Sequence, residues 1–381
     1  MKKKLLIKQV KNSFINRFKT NPILVFSPGR INLIGEHTDY NEGFVFPAAI
    51  NKGIVLGIQQ SNSNKSQVFA LDINEKYDFS LNSIEPLENG GWKNYILGVI
   101  AEIQKIRFKL ENFNIVFAGN IPRGAGLSSS AALENSIVFG INKLFSLQLS
   151  KEEMILISLR AEHNFVGVKC GIMDQYTSMF GKKGSALLLD CRSIESQFYK
   201  INFKDYKIVL INTNVKHNLS ESEYNNRRVV CEMVSKKIGI NSLRDISIQD
   251  LEKFKNDIPI EDYQKVIYVL EENKRVKEFS KALIENDSNS LGKLLYESHK
   301  GLSKQYKVSC QELDFLVNQA RTYKSIIGAR MMGGGFGGCT INLVDKKSKG
   351  DIKKIVKKFQ SEFNIEASIY SVKLSDGVAI I

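Results

Sequence analysis

Apolar positions near the start of the chain recur first at helical and then at strand spacing. Leu6, Val10, Phe14 and Phe18 are four residues apart, which predicts an amphipathic helix. A polar stretch with glycines at 27–43 predicts a turn, and 92–106 returns to helical periodicity. Runs rich in β-branched and aromatic residues predict strands at 22–27, 44–50, 54–60, 67–71 and 113–119.

The middle of the chain contains a glycine-rich loop that opens directly into a helix. Residues 120–145 form this unit, and the apolar face of its helix would consist of Ala132, Ile137, Ile141 and Leu144. Ser150 and Glu153 fit a capping box, which predicts a helix that begins there and runs to about residue 165. A buried strand is expected at 185–190.

A strand at 208–214 opens a second half that is mostly helical. We predict helices at 262–286 and 291–299, and another that is capped by Ser309 with Glu312 three residues on. A glycine cluster, a strand at 339–344 and an αβ unit that ends in the strand 367–373 complete the chain.

The length of the chain suggests two domains. At 381 residues, it is long enough for two domains of ordinary size. The order of elements predicts an α+β fold with a first domain at 1–195 and a second at 196–381, whose tail is able to pack back on the first.

Composition excludes several classes of protein. Apolar residues make up 43% and charged residues 25%, as in soluble globular chains, and no run approaches the 18 apolar residues of a membrane span. Lys8 and Lys11 interrupt the N-terminal apolar stretch, which argues against a signal peptide. The five cysteines are widely spaced without a CxxC pair, so we expect reduced thiols and a cytoplasmic protein. Separately, we expect the protein to be a monomer.

The net charge of +14 at first admits nucleic acid or an anionic membrane as a partner. The longest basic run of the chain is only residues 2–4, and the other lysines are mostly interleaved with acids. No basic stripe with interleaved aromatics is visible, so we expect neither nucleic acid nor membrane as a partner. Of the 54 basic residues, only Arg30 and Arg123 have a place near the motifs described next.

The strongest local motif is PRGAGLSSSAAL at 122–133. Free backbone N–H groups in a glycine-rich turn, followed by a helix N-terminus, form an anion site, and three serines add hydroxyls. The loop is not a Walker A motif, because no lysine follows Gly124 at the required spacing. The alternative is an ordinary helix start that Ser128 caps.

A second glycine cluster, 333–338, formally matches GxGxxG. A strand rather than a helix follows it, which excludes the dinucleotide-binding motif, and the chain has no HRD or DFG segment of a protein kinase. Such a segment lets the backbone approach a ligand or another backbone closely, and both interpretations stay open here.

A dense polar cluster suits a polyhydroxylated ligand, because each carboxylate can accept two hydroxyl hydrogen bonds. If the segment is extended, His37 and Asp39 face one side, and Glu36 and Thr38 face the other. A zinc site lacks ligands, since no further His or Cys is near, and a solvated turn remains the alternative. The members of the cluster are Arg30, Asn32, Glu36, His37, Asp39 and Tyr40.

Two isolated acids, Glu162 and Asp174, lie among apolar or small residues. If the 122–133 loop binds phosphate, one carboxylate, a serine hydroxyl and the phosphates of a nucleotide could together hold Mg²⁺. Each acid taken alone is more often a surface or capping group.

The three motifs, in this order, resemble those of the GHMP small-molecule kinases and, within them, the galactokinase group. The resemblance extends from about residue 9 to beyond 345. It is carried by 29–47, which is the most specific segment, and by 122–133, 160–181, 222–228, 306–317 and 333–344.

The resemblance implies an N-terminal domain with the ribosomal-protein-S5-like fold, a C-terminal α/β domain and a site between them. It implies transfer of the γ-phosphoryl group of ATP to the anomeric hydroxyl of α-D-galactose, the first step of the Leloir pathway. It also implies Asp174 as catalytic base and Arg30 as the partner that stabilises this carboxylate and the developing phosphoryl charge.

The resemblance further implies the binding residues. Mg²⁺ would be held by Ser130 and Glu162. Galactose would be contacted by Glu36, His37, Thr38, Asp39, Gly171, Asp174 and Tyr224. The phosphates of ATP would be wrapped by Gly124, Ala125, Gly126, Leu127, Ser128, Ser129 and Ser130.

Two alternatives to this reading remain. A catalytically silent galactose sensor would lack the Ser-Ala step of the phosphate loop, whereas Ser130 and Ala131 are present here. A relative that acts on N-acetylgalactosamine, galacturonate or arabinose would differ around C2 and C6 of the sugar, which the sequence does not reveal.

Overall fold

The structure is a computed structural model that describes residues 1–106, 109–122, 124–203, 205–215, 220–348 and 350–381, with only the backbone of 220–222. Arg123, in the glycine-rich loop, lies outside the described residues. None of the described helices has both the length and the apolar composition that a bilayer crossing requires.

Helices and strands alternate along the chain in the mixed order that the sequence predicted. Single helical turns lie at Asp39–Asn41, Leu243–Asp245 and Glu252–Phe254, and a π-helical turn lies at Glu162–Val166. The α-helices are α1 (Lys3–Phe18), α2 (Trp92–Lys105), α3 (Ser129–Phe145), α4 (Lys151–Ala161), α5 (Met173–Phe180), α6 (Ser220–Lys237), α7 (Ile248–Leu251), α8 (Ile260–Glu285), α9 (Ser288–Lys304), α10 (Gln311–Arg321) and α11 (Asp351–Phe363). The strands are β1 (Ile23–Asn32), β2 (Phe44–Val45), β3 (Pro47–Gln60), β4 (Ser66–Ala70), β5 (Glu75–Phe79), β6 (Phe113–Gly119), β7 (Ser185–Asp190), β8 (Glu195–Lys200), β9 (Tyr206–Asn212), β10 (Ile326–Met332), β11 (Cys339–Asp345), β12 (Ser368–Ser371) and β13 (Ala379–Ile380).

Strands of the first half form a mixed sheet in the order β13-β1-β3-β6-β4-β5. Its pairs are antiparallel except for β4 with β6, which are parallel. Helices α2, α3 and α4 cover one face, and their apolar side chains form one core with those of the sheet. The opposite face is covered by α1, whose Leu6, Val10 and Phe14 are fully buried, as the four-residue spacing predicted.

Strands of the second half form a separate sheet in the order β10-β11-β9-β12. Helices α9, α10 and α11 pack on it. The end of the chain then returns to the first sheet, where Val25 of β1 pairs with Ile380 of β13. Backbone N–H groups of Gly377 and Val378 also donate to the carbonyls of Gly181 and Ser178. The tail therefore belongs structurally with the first half.

The boundary that we expected between residues 195 and 196 would cut β8. This strand begins at Glu195 and pairs antiparallel with β7 along its whole length. Dividing the chain inside a hydrogen-bonded hairpin would leave buried backbone groups unpaired. We therefore propose that the boundary lies after Lys200, and that the last residues of the chain return to the first domain.

Several predicted elements differ from the structure in extent. β1 continues beyond residue 27 to Asn32, because a bulge between Pro28 and Arg30 accommodates the proline and glycine that had indicated a turn. The strands predicted at 44–50 and 54–60 are largely one strand, β3, which continues through the polar residues between them. The short strand β5 has no counterpart in the prediction.

The helix ends test two predicted caps. Ser150 and Glu153 form the predicted capping box at the start of α4. The cap predicted at Ser309 is wrong, since α10 begins after Cys310 and no side chain caps it. The Ser309 hydroxyl instead donates to Oδ1 of Asp314 at 2.5 Å. Its hydrogen bond therefore goes to a side chain and not to a backbone N–H group at the start of the helix.

The docking of α1 gives a stability prediction. Phe14→Ala removes a fully buried ring and should lower the free energy of unfolding by about 3–5 kcal/mol. Leu5→Ala is the matched control on the same helix, because Leu5 is 58% exposed and its loss should cost less than about 0.5 kcal/mol. Urea unfolding would measure both, and equal effects would contradict the docking of this helix.

Candidate active site

A cavity of about 360 Å³ lies where the first strand, the glycine-rich loop and the second half of the chain meet. Its size is within the range of small-molecule sites. The predicted site residues that line it are Arg30, Glu36, His37, Asp39, Gly124, Ala125, Gly126, Leu127, Ser128, Ser129, Ser130, Glu162, Asp174 and Tyr224. The cavity is also lined by residues that the sequence analysis did not name as site residues, among them Tyr95, Ile121, Pro122, Val168, Cys170 and Met173.

The Arg30–Asp174 pair lies at the centre of the cavity wall. Arg30 follows the bulge in β1, and Asp174 lies in the first turn of α5. The guanidinium Nε and Nη2 donate to the two oxygens of Asp174 at 2.7 and 3.0 Å, and Nη1 donates to the carbonyl of Gly126 at 2.6 Å. One arginine therefore fixes both the carboxylate and the glycine-rich loop.

Arg30 remains charged despite its burial. Removal from water opposes its charge, but the neighbouring Asp174 and Glu36 carboxylates outweigh this cost and raise the Arg30 pKa above its ordinary value. The cavity thus carries a permanent positive charge beside an acid, and this arrangement favours an anionic group in front of it.

The glycine-rich loop is held tightly against β1. The amide of Arg30 donates to the carbonyl of Leu127 at 3.2 Å, and a Cβ on Gly29 would lie 2.4 Å from that oxygen. Gly124 and Gly126 both have φ near +65°, which glycine adopts without strain. Only small residues allow the loop this approach.

The interpretation of Ser128 as a helix cap is wrong. Ser128 has a left-handed backbone with φ of 55°, and its side chain makes no capping bond. Its hydroxyl donates instead to Oδ2 of Asp174 at 2.5 Å. The first N–H groups of α3 therefore have no side-chain cap, and Ser129 and Ser130 at this helix start line the cavity, as an anion site requires.

The second glycine segment both packs closely and lines the cavity. A Cβ on Gly126 would lie 3.2 Å from the carbonyl of Met332, and one on Gly335 would lie 2.1 Å from the carbonyl of Val308. Gly333 and Gly334 form part of the cavity wall. The two interpretations of this segment, close backbone packing and a place beside a ligand, are therefore compatible.

The polar cluster is a compact turn, and the expectation of alternating sides in an extended segment is wrong. His37 has φ of 60°, and Asp39 begins a single helical turn. Glu36, His37 and Asp39 consequently all line the cavity. A turn places consecutive polar side chains on one side, which an extended strand does not.

Two predicted sugar contacts do not line the cavity. Thr38 is fully buried, and its hydroxyl lies 3.1 and 2.8 Å from the carbonyl oxygens of Gly35 and Phe44, so it stabilises the turn from behind. This contradicts a direct role for its side chain. Gly171 lies against Asp39, where a Cβ would be 2.3 Å from the carboxylate, so its lack of a side chain makes room for that acid.

Arg330 is a key residue that sequence reasoning missed. It is fully buried in β10, and it donates to Glu36 Oε1 at 3.1 Å and to the carbonyls of Asn32, Leu33 and Met331 at 2.5–2.8 Å. The amide of Gly333 donates to the same Glu36 oxygen at 2.8 Å. The only available signal was an arginine in a run of apolar residues and glycines.

Helix α8 supports the same turn and was also missed. The Tyr268 hydroxyl donates to the carbonyl of Glu36 at 2.9 Å. The fully buried Glu272 accepts from the amide of Gly35 at 2.9 Å, and Asn273 accepts from the amide of Phe44 at 2.8 Å. More than 200 residues separate these partners in the chain, so no local pattern could indicate them.

The remaining acids form a crowded group. Burial and the charge of Asp174 raise the pKa of Asp39 to about 7, and the same causes raise that of Glu162 to about 7. Glu134, missed by the sequence analysis, lies one turn beyond Ser130 on α3, and burial raises its pKa well above the ordinary range. Nε2 of Gln175 bridges Glu162 and Glu134 at 2.7 and 3.2 Å.

Comparisons with known proteins give matches along most of the chain. Family models match the GHMP kinases N terminal domain at residues 94–182, the galactokinase galactose-binding signature at 12–60 and the GHMP kinases C terminal region at 279–365. The galactokinase of Thermotoga petrophila is 43% identical, over 93% of this chain and 99% of its own. That of Clostridium acetobutylicum is 39% identical, over 98% of each.

Solved structures are similar over nearly the whole chain. Lactococcus lactis galactokinase complexed with galactose aligns with a TM-score of 0.93 at 31% identity, covering 97% of this chain and 98% of that one. Methanococcus jannaschii mevalonate kinase aligns with a TM-score of 0.64 at 19% identity, covering 94% of this chain and 100% of that one. The second likeness concerns the fold alone.

The raised pKa of Asp39 gives a pH prediction. An acid whose pKa rises from its ordinary value near 4 to about 7 on folding destabilises the folded state as the pH rises between those values. Asp39→Asn abolishes this titration. We compare the free energy of unfolding of Asp39→Asn with that of the unmodified chain, both without ligand. The difference should change in favour of the variant by roughly 2–4 kcal/mol between about pH 5 and about pH 8.

Urea unfolding at the two pH values measures this difference. Asp257→Asn, which alters an exposed acid, is the control and should show the same small effect at both. A stability difference for Asp39→Asn that does not change with pH would contradict the burial of an uncompensated carboxyl at this position.

Proposed function

The chain belongs to the galactokinases within the GHMP kinases, and from that premise we propose how its residues divide the work of the reaction. It transfers the γ-phosphoryl group of ATP to the anomeric hydroxyl of galactose, giving galactose 1-phosphate and ADP, the entry step of the Leloir pathway. The proposal rests above all on Asp174, which Arg30 and Ser128 hold at the junction of the glycine-rich loop and the polar turn.

Asp174 is the catalytic base in this proposal. A carboxylate has roughly four lone-pair sites, and Arg30 and Ser128 occupy three of them, which leaves one on Oδ1 for the proton of the sugar hydroxyl. An anomeric hydroxyl is more acidic than an ordinary alcohol, so an aspartate whose carboxylate is oriented by an arginine is a sufficient base.

Arg30 serves two purposes. Its bidentate contact keeps the Asp174 carboxylate oriented, and its Nη1 contact with Gly126 places the positive charge beside the phosphate loop. Phosphoryl transfer depends mainly on positioning and on stabilising the charge that spreads over the transferred group. Arg30 would supply both at the point where the sugar hydroxyl meets the γ-phosphate.

The segment from Gly124 to Ser130 would wrap the phosphates of ATP. Its left-handed glycines allow the tight turn that lines the cavity, and the start of α3, which has no side-chain cap, adds its dipole. Gly124, Ala125, Gly126, Leu127 and Ser129 would contribute through the backbone, whereas Ser130 would also use its hydroxyl.

The residues present fit a Mg²⁺ ion. Ser130 donates a hydrogen bond to Glu162, and the raised pKa of this buried carboxyl comes first from burial and then from the charge of Asp174. One oxygen of the neighbouring Glu134 has no hydrogen-bond partner. A hydroxyl and carboxylate oxygens are the donors that Mg²⁺ prefers, with phosphates and waters completing its shell.

Ser130 and Glu162 would therefore hold the ion. When bound, Mg²⁺ would supply positive charge that neutralises the negative charge developing on the phosphates of ATP.

Galactose would bind at the opposite end of the cavity, against Glu36, His37, Asp39 and Tyr224. Glu36 Oε1 is already engaged by Arg330 and Gly333, so its other oxygen is left for a sugar hydroxyl. The match of the galactokinase galactose-binding signature to residues 12–60 supports a sugar site at this turn. Gly171, which lies next to Asp39, would contact the sugar through its backbone.

The setting of the enzyme is also a proposal. We propose a monomer as the working unit, because the roles assigned above need no residue from a second copy. All five cysteines are unpaired, which fits a reducing compartment such as the cytoplasm. We propose neither nucleic acid nor membrane as a partner, because the basic residues are dispersed among acids.

Replacement of the base should abolish most of the turnover. Asp174→Asn removes the group that accepts the hydroxyl proton, so kcat should fall by about 10²–10⁴-fold while ATP binding remains nearly unchanged. A coupled ADP-release assay measures the rate, and calorimetric titration measures ATP binding. If Asp174→Asn retains most of its kcat, this carboxylate is not the base.

Asp39→Asn is the matched control, because it alters another acid of the same cavity. It should raise the KM for galactose more than it lowers kcat. The assay should include galactose, N-acetylgalactosamine, galacturonate, arabinose and glucose. Activity of the unmodified chain on none of these sugars would contradict the enzymatic function and favour a sensor.

Removal of the metal ligand should alter the Mg²⁺ requirement. Glu162→Gln retains the shape of the side chain and loses its charge, so the Mg²⁺ concentration for half-maximal rate should rise by about tenfold or more. Glu152→Gln, at an exposed position in the first turn of α4, is the control and should leave that concentration unchanged. An unaltered Mg²⁺ dependence in Glu162→Gln would exclude Glu162 as a ligand.

A further inference from the structure

His37 lies at the end of a chain of hydrogen bonds that runs from the sugar side of the cavity into the second half of the protein. Its Nε2 is 3.2 Å from the carbonyl of Gly334, and its Nδ1 is 2.7 Å from the hydroxyl of Tyr40. That hydroxyl is 2.8 Å from the hydroxyl of Tyr306, which is 3.5 Å from Sγ of Cys231.

The chemistry of these groups determines the direction of every bond. The carbonyl of Gly334 can only accept, so Nε2 carries the proton and Nδ1 of a neutral ring must accept from Tyr40. Since the proton of Tyr40 is used on His37, its oxygen must accept from Tyr306. The oxygen of Tyr306 then accepts from the thiol of Cys231.

Burial keeps each group in the required protonation state. The side chains of Tyr306 and Cys231 are almost completely buried, and those of His37 and Tyr40 are at most 9% exposed. Burial lowers the pKa of His37 to about 3, with the charges of Arg227 and Arg330 acting in the same direction. Burial also raises the pKa of Cys231 to about 11 and those of both tyrosines well above the ordinary value, so all three stay donors.

We infer that Tyr40 and Tyr306 are positioning residues that lock His37 as its neutral Nε2–H tautomer, so that it presents a fixed hydrogen-bond donor to the sugar site. This rests on the proposed function only in placing the sugar beside His37. The hydrogen bond between His37 Nε2 and the carbonyl of Gly334 is 3.2 Å long, whereas that between Nδ1 and Tyr40 is 2.7 Å. His37 and Gly334 both line the cavity. An accepting oxygen of a sugar can therefore take this proton in place of the carbonyl.

Among the residues that the structure describes, only Tyr40 is placed to bond Nδ1 of His37. The rings of Tyr224 and Tyr306 lie 5.3 and 5.0 Å from the imidazole and cover it on the sides of α6 and of the segment before α10. The charged groups that act on it are the guanidinium groups of Arg227 and Arg330. Both disfavour a second proton on the ring, and neither can donate in place of Tyr40 without breaking its own bonds to backbone carbonyls.

Nitrogen NMR can observe the tautomer directly. The chain has 4 histidines, so selectively ¹⁵N-histidine-labelled protein gives a simple spectrum, in which His37→Asn assigns the signal of interest. We expect the His37 ring to show the Nε2–H neutral pattern without titrating from about pH 5.5 to about pH 8.5. A protonated Nδ1, or titration near the ordinary histidine pKa, would overturn the inference.

Tyr40→Phe removes a single oxygen from this chain. Nδ1 then loses its donor, so its nitrogen frequency should shift and the pKa of the ring should rise. The KM for galactose should increase about fivefold, the factor expected for one net hydrogen bond, with kcat and the KM for ATP changed by less than about twofold. Tyr306→Phe should act in the same direction but more weakly.

Tyr268→Phe is the matched control. It removes a buried hydroxyl whose ring lies 4.8 Å from that of Tyr306, and this hydroxyl supports the same turn through the carbonyl of Glu36 without belonging to the chain. It should leave the His37 nitrogen frequencies unchanged. If Tyr268→Phe shifts them as much as Tyr40→Phe does, or if Tyr40→Phe does not shift them, the positioning role is wrong.

The two proposals fail in different ways. The NMR measurement uses the protein without sugar, so it tests the tautomer whether or not galactose is the substrate. Loss of the proposed function would appear instead as an unmodified chain without kinase activity on any of the sugars.

Discussion

The placement of the whole site depends on one buried cation, Arg330. A permanent charge without solvent is tolerated only when its donors are satisfied, and here they bind a carboxylate and backbone carbonyls. Its acceptors Asn32, Leu33 and Glu36 belong to the first half of the chain, whereas Arg330 belongs to the second. The polar turn therefore cannot move from its place without leaving this charge unpaired, and the two halves are joined where that turn lines the cavity.

The acids around Asp174 give the cavity the reverse electrostatic character. Burial, followed by repulsion from neighbouring carboxylates, raises the pKa values of Asp39, Glu134 and Glu162. Arg30 balances only Asp174 directly. Such an excess of buried acids destabilises the ligand-free protein, because each charged carboxylate would be held away from water beside others of its own sign.

Local patterns in the sequence determined much of the fold and of the candidate site. The four-residue spacing from Leu6 to Phe18 predicted a docked helix, and the glycine-rich loop before α3 was correctly placed beside the cavity. These features depend on neighbouring residues, whose periodicity and turn chemistry are visible in one dimension. Predictions were wrong where a tertiary partner outweighed the local preference, as at Ser128, whose hydroxyl binds Asp174 instead of capping its own helix.

What the sequence alone determined is therefore the chemical inventory: a glycine-rich loop before a helix, a polar turn, and the arginine and acids that were predicted as site residues. Only the tertiary structure decided how this inventory is oriented. Thr38 faces backbone carbonyls while Glu36, His37 and Asp39 face the cavity, because Glu272 and Tyr268 of a distant helix hold the turn in a compact form. Hydrogen bonds between residues hundreds of positions apart leave no periodic trace, so Arg330 and Tyr306 acquired their roles only when the chain was folded.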